Sequence, residues 1–193
     1  MASTTERRAS SVRDFREGQG DESHFQRLNE SWLFANGWGI EAKDAKIFEQ
    51  AVELILRPGG RIFFIEEEAS VEQGAGAGVK EELEAKGSND KPSAPVGCCA
   101  LLKLDDYEGK PTMELIKLGV DPSAQGRGYG RKLIEHAIAQ AREMGVKRLY
   151  LESNKVLTPA LKLYLSVGFV HLPPERVPTS DYARADVFME MDL

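Results

Sequence analysis

Residues 118–145, LGVDPSAQGRGYGRKLIEHAIAQAREMG, constrain the fold more than any other stretch of the chain. The segment begins as the end of a strand, passes through a glycine-rich turn and becomes a helix. Gly126, Gly128 and Gly130 alternate, which lets the backbone bend tightly and leaves no Cβ over the amides. Leu133, Ile134, Ala137, Ile138 and Ala141 then recur at the spacing of one buried helical face. Lys132, Glu135, His136, Gln140 and Arg142 fall on the opposite side, and Gly145 suits the stop. A glycine turn feeding a helix N-terminus presents unpaired N–H groups and a positive partial charge of about half a unit. Such a terminus is a site for an anion, most often a phosphate.

Two common phosphate loops do not fit. The P-loop requires Gly-Lys-Ser/Thr five residues after its first glycine, where Arg131 stands. The dinucleotide fingerprint requires a third Gly or Ala at that same position. Gln125, Gly128 and Gly130 instead form Gln-x-x-Gly-x-Gly, with Val120-Asp121-Pro122 upstream. Downstream, Asn154 closes a strand, and Ala160, Tyr164 and Gly168-Phe169 follow at four-residue steps. The two motifs, in this order, resemble the cofactor-binding halves of the GCN5-related N-acetyltransferases, the GNAT superfamily. The resemblance is good over about residues 95–169, and the N-terminal part matches in element order only.

Bulk properties narrow the classes further. The chain has 193 residues, enough for one domain with a real core. Its formal net charge of −6 argues against a nucleic-acid partner, which needs a basic face. No apolar run reaches membrane-spanning length, so no membrane partner is expected. Cys98 and Cys99 are adjacent, offer no zinc spacing and read as strand residues in a reducing, cytoplasmic setting. His24, His136 and His171 are scattered, and nothing suggests a metal.

In chain order, residues 1–11 read as a disordered tail and 12–193 as a single domain. A strand is predicted over 12–16, and a helix capped by Asp21 or Ser23 runs through 24–34. A second helix over 44–56 follows from the spacing of Ile47, Ala51, Leu54 and Ile55. Strands are predicted over 61–67, 95–104, 112–120 and 148–153. Residues 68–94, with GAGAG and many charges, read as a mobile insertion. Thr158 as cap with Pro159 at the first helical position opens a helix that stops at Gly168. Short strands at 169–171 and 186–193 close the chain. The expected fold is α/β, a mixed twisted sheet of about seven strands flanked by helices on both faces.

The resemblance implies acetyl-CoA as cosubstrate, with roles for particular residues. Backbone groups of the Leu118-Gly119-Val120 strand end would pair with the pantetheine arm. Amides from Gln125 through Gly126, Arg127, Gly128, Tyr129, Gly130 and Arg131 would hold the pyrophosphate, with charge-assisted help from Arg127 and Arg131. Asn154 would hydrogen-bond the pantetheine chain. Tyr164 would protonate the leaving thiolate. Glu114, six residues before Val120, would be the general base, with Glu152 or an ordered water chain as alternatives. A free alkyl amine is neutral in only about one molecule in a thousand at pH 7, so a base is needed. The lead acceptor is a primary amine of a small or amino-acid-like molecule. A protein or peptide amine is the runner-up, and a non-catalytic coenzyme A-binding module is the third reading. Trp32, Phe34 and Trp38 are candidates for the floor of an acceptor pocket or for core. Tyr182 and Arg184 border that site, Arg184 as a carboxylate receiver or as an ion-pair partner. The protein is expected to be a monomer or a homodimer.

Overall fold

The computed structural model describes residues 9–68 and 94–193. The expected insertion thus lies almost wholly outside the described residues, as does most of the expected N-terminal tail. The elements run β1 (Ser10–Asp14), α1 (Asp21–Ala35), α2 (Ala42–Glu49), β2 (Arg61–Glu67), β3 (Gly97–Lys103), β4 (Thr112–Val120), α3 (Tyr129–Glu143), β5 (Arg148–Ser153), α4 (Thr158–Ser166), β6 (Val170–His171) and β7 (Val187–Asp192). They form one seven-stranded sheet of order β1-β2-β3-β4-β5-β7-β6. Only β4 and β5 pair in parallel, joined through α3; every other pair is antiparallel. The mixed sheet follows from the sequence pattern, because a crossover helix forces parallel neighbours whereas hairpin connections do not.

Both faces of the central strands are covered. In β2, Ile62 and Phe64 pack toward α1 and α2, whereas Phe63 and Ile65 pack toward α3. Cys98 and Ala100 of β3 join the first core, and Cys99 and Leu101 the second. This double burial is why these strands read as continuous apolar runs rather than alternating ones. Both cysteines are buried free thiols, in agreement with their reading as ordinary strand residues.

Several boundaries differ from expectation. The first strand begins at Ser10, two residues early, so the tail cannot extend through residue 11. Asp21 does not cap α1: Gly20, at φ 87°, takes the cap position. The Asp21 carboxylate instead receives two bonds from the Arg13 guanidinium and one from the Arg16 N–H. The second helix stops at Glu49, and residues 52–56 continue in wider π-type turns, with Arg57 N–H bonded to the Val52 carbonyl. The apolar spacing survives that widening, which is why one helix was expected. Leu157, not Thr158, occupies the cap position of α4, and Pro159 lies in its first turn.

Candidate active site

The sheet opens between β4 and β5. Their ladder spans only Thr112–Glu114 against Arg148–Tyr150. Beyond it β5 stays paired with β7, while β4 runs on to Val120 with no partner on that side. A bulge on β4 accompanies the divergence. Cys98 pairs with Gly119 but Ala100 with Ile116, so Lys117 and Leu118 together oppose Cys99. Lys117 adopts φ 57°, the left-handed region that a β-carbon disfavours. The Asp121 N–H bonds the Val96 carbonyl on the β3 side at 2.8 Å. Strand alternation therefore turns the Val120 N–H and carbonyl toward the opening. Gln125 Nε2 donates to that carbonyl at 3.1 Å. The opening is a cleft of roughly 600 Å³.

The glycine loop forms one end of the cleft. Asp121 accepts from the Ser123 N–H at 3.0 Å, which sets a short 3₁₀ turn over Pro122–Ala124. Gly126 and Gly128 then take φ 79° and 83°. No side chain caps α3, and its first turn carries no acidic residue. Its leading N–H groups are therefore orphan donors, pointed where Gly126, Gly128 and Gly130 line the cleft. Gly130 is helical, and a β-carbon there would lie 3.4 Å from Leu163, so only two of the three glycines are demanded by backbone conformation.

Every catalytic and cofactor-binding residue named from the sequence lines this cleft except Arg127. The Arg127 guanidinium turns instead to Glu67 at the end of β2 and to the Ser123 carbonyl. A salt bridge to Glu67 holds it there, apart from the residues that line the cleft. Arg131 lines the cleft while donating to Glu135 and Ser166, tying α3 to α4. The buried Tyr129 donates its hydroxyl to Glu67. Asn154 accepts from the Val156 N–H and donates to the Arg184 carbonyl, so its amide fastens the end of β5 to the C-terminal loop.

Glu114 stands where the strands part, 4% exposed, with its carboxylate accepting no hydrogen bond from another described residue. Burial pushes its pKa up to about 7; the nearby Lys43 opposes that rise and Glu152 adds to it. Tyr164, on α4, presents its ring to the same cleft, and burial raises its hydroxyl pKa, so it stays protonated. Glu152 is held differently, accepting from the Tyr150 and Ser180 hydroxyls. Trp32 and Trp38, edge to face at 6.0 Å, line the cleft, but Phe34 is exposed outside it.

The sequence reading missed a buried charge cluster behind this wall. Asp44 is fully buried and accepts from Lys117 Nζ, from Arg184 Nη2 at 2.8 Å and from the Glu41 N–H at 3.0 Å. Arg184 also bonds Glu41 at 2.9 Å, so it is an ion-pair partner rather than an open carboxylate receiver. Lys117 Nζ lies 4.8 Å from the Phe48 ring centroid and 5.2 Å from that of Tyr182. The available signal was a lysine in the middle of the apolar run ELIKLGV. A second omission is Ser153, whose buried hydroxyl lines the cleft without a hydrogen-bond partner among the described residues.

Comparison with known proteins agrees with this fold. A solved acetyltransferase of the GNAT family from Staphylococcus aureus Mu50 superimposes with a TM-score of 0.72 at 16% identity, covering 95% of this chain and 99% of that one. A Streptococcus agalactiae acetyltransferase gives 0.71 at 17% identity, with 95% and 98% covered. In sequence, the uncharacterised N-acetyltransferase YjgM of Escherichia coli K12 is 46% identical over 59 residues, 31% of this chain and 35% of that protein. The [ribosomal protein bS18]-alanine N-acetyltransferase of the same organism is 35% identical over 81 residues, 41% of this chain and 55% of its own length. The matched stretches thus span about a third to just over half of these curated relatives. The model of the acetyltransferase (GNAT) family matches residues 28–169, most of the chain, and the chain belongs to that family.

Proposed function

We propose that this protein moves an acetyl group from acetyl-CoA to a primary amine by direct attack, without a covalent enzyme intermediate. The observation that carries the reading is Glu114: a buried carboxyl with no hydrogen-bond partner among the described residues, poised near neutral pH, in the same cleft as an uncapped, glycine-led helix start. A nucleotide thioester suits the groups along that cleft. Orphan N–H donors at the start of α3 match a diphosphate. The unpaired edge of β4 matches an amide-bearing arm, as an added strand would. The orphan Ser153 hydroxyl is a further polar contact for that arm.

The chemistry then follows from the side chains. Glu114 takes the proton from the attacking amine, which only its ionised form can do. The amine nitrogen bonds the thioester carbonyl carbon, and the Val120 N–H, turned into the opening, stabilises the charge that develops on the oxygen. The carbon–sulfur bond breaks, and the Tyr164 hydroxyl gives its proton to the thiolate. Each such proton transfer contributes about 10²- to 10⁴-fold.

The test is free-thiol release from acetyl-CoA in the presence of amines, with Tyr164→Phe in parallel. Loss of turnover with acetyl-CoA binding intact is expected. Unchanged turnover would remove Tyr164 from the mechanism. A small-molecule acceptor is the first reading. A peptide N-terminus is the second, favoured by the identity to the bS18-alanine N-acetyltransferase noted above.

A further inference from the structure

We propose that the acceptor end of the cleft takes an amine bearing a second cationic nitrogen, a short diamine or polyamine, with Glu152 holding the second charge while Glu114 faces the reacting amine. The proposal rests on the acetyl-transfer reading above and names its acceptor class.

The first support is placement. Glu114 pairs with Tyr150 across the short β4–β5 ladder, and Glu152 lies two residues farther along β5. Residues opposite one another, and residues two apart, share a face of the sheet, so both carboxylate stems rise on the α2 side, starting about 8 Å apart. Both line the cleft. A short methylene spacer between two nitrogens suits that separation.

The second support is which charges are already matched. Lys117 is matched by Asp44, and Arg184 by Asp44 and Glu41. Glu152 accepts only from two neutral hydroxyls, and the Glu114 carboxylate accepts from none of the described residues. Lys43, 4.6 Å from the Tyr182 ring centroid, acts on Glu114 through space, and Asp181 acts in the opposite sense. Lys43, Lys117 and Arg184 thus stand against Glu41, Asp44, Glu114, Glu152 and Asp181 at and behind this end, and of these Lys117, Arg184, Glu114 and Glu152 line the cleft itself. Glu114 is 4% exposed and accepts from no hydrogen-bond donor among the described residues, so its carboxylate is open to a donor that enters the cleft.

The third support is Tyr182. Tyr182 lines the cleft, and its buried hydroxyl has no hydrogen-bond partner of normal geometry among the described residues, although Asp44 is near enough to act on it. A phenolic oxygen accepts from an ammonium as readily as it donates. The Tyr182 ring already carries Lys43, Lys117 and Arg184, and the Trp38 ring Arg184, so the aromatic face left at this end for a ligand cation is that of Trp32. An acceptor carboxylate, by contrast, would meet Glu114 and Glu152, neither ion-paired among the described residues, while the lining cations Lys117 and Arg184 are already bonded to Asp44 and Glu41.

The test measures acetyl-CoA-dependent thiol release by the full chain with putrescine, spermidine, butylamine, glutamate, alanine and a lysine-containing peptide. Putrescine or spermidine should exceed butylamine in kcat/KM by about tenfold or more, the scale of one partly desolvated charge pair. Glu152→Gln should shrink that ratio to about twofold while the thermal shift given by acetyl-CoA persists, which shows that the variant is folded. Ser180→Ala, which removes one of the hydroxyls holding Glu152, should narrow the ratio part of the way. Equal use of butylamine and putrescine overturns the proposal. So does a preference for glutamate, alanine or the peptide, or an unchanged ratio in Glu152→Gln. In those cases acetyl transfer itself stands. No turnover with any amine overturns the transfer reading and this proposal together.

Discussion

Glu114 is the residue at which fold stability and chemistry oppose each other. Its folded pKa of about 7 lies above the ordinary carboxylate value of 4.5, because burial penalises the charge. The folded state therefore holds a proton that the unfolded chain has already lost, and stability falls as pH rises from about 4.5 through 7. That shift corresponds to roughly 3 kcal/mol at most. Glu114→Gln removes the charge and keeps the shape, so it should raise the melting temperature at pH 8 and leave it nearly unchanged at pH 4.5. A melting temperature that falls at pH 8 would show that the carboxylate is matched by a partner. The same substitution should lower kcat by about 10²- to 10⁴-fold. The pH profile gives a second check. Below about 7 both Glu114 and the amine must lose a proton, so log kcat/KM should climb with a slope near two, easing to one up to the amine pKa of about 10. In Glu114→Gln the break near 7 should vanish. A wild-type profile without that break would transfer the base role to Glu152 or water.

At the scale of elements, Asp44 ties three of them together. Its carboxylate joins the start of α2 to the β4 bulge through Lys117 and to the C-terminal loop through Arg184. Asp44→Asn would leave the buried Lys117 and the partly buried Arg184 with half their countercharge, and breaking a buried pair costs about 3–5 kcal/mol. In a chain of this length the melting temperature should fall by roughly 6–20 °C. A drop under a few degrees would mean that water reaches the cluster. Beyond a lysine inside an apolar run, this was not legible in the sequence, because the bulge that turns Lys117 toward α2 is a matter of register between β3 and β4. The strands themselves were legible, since RIFFIEE, TMELIKLGV and RLYLES are apolar runs bounded by turns. So was the cleft, for two glycines and a tyrosine at fixed spacing locate the helix starts that line it. The widened turns after α2 were not, because Ile47, Ala51 and Ile55 stay buried in either geometry. Nor was the outward turn of Arg127, which depends on Glu67, a residue 60 positions away. Gly119 shows the same limit: a β-carbon there would lie 2.7 Å from Trp32 Cδ1, a contact between distant elements. Gly119→Ala should displace the Trp32 ring, altering tryptophan emission and raising KM for the amine. An emission spectrum identical to wild type would show that the ring yields without leaving the cleft.

On the scale of the whole molecule, the sheet is two antiparallel groups, β1 to β4 and β5 to β7, joined by a three-residue parallel ladder. The cleft runs along the seam, lined from β4, the glycine loop, β5 and α4. A ligand filling it touches both groups, so it should stabilise the molecule as a unit rather than one element. At a hundredfold excess over its Kd, acetyl-CoA should add about 2.7 kcal/mol. That corresponds to a rise of roughly 5–10 °C in melting temperature for a domain of this size. Gly128→Ala separates the loop's contribution from the fold's. The new β-carbon would meet nothing within 4 Å, so its cost is the left-handed backbone alone, at φ 83°. That cost is about 1–2 kcal/mol, a loss of a few degrees without ligand. If the loop amides hold the diphosphate, easing that strain moves the N–H groups out of line, and acetyl-CoA should then raise the melting temperature by half as much or less. A full ligand-induced rise in Gly128→Ala would place the binding energy on β4 and β5 instead. The glycine turn would then serve only to start α3.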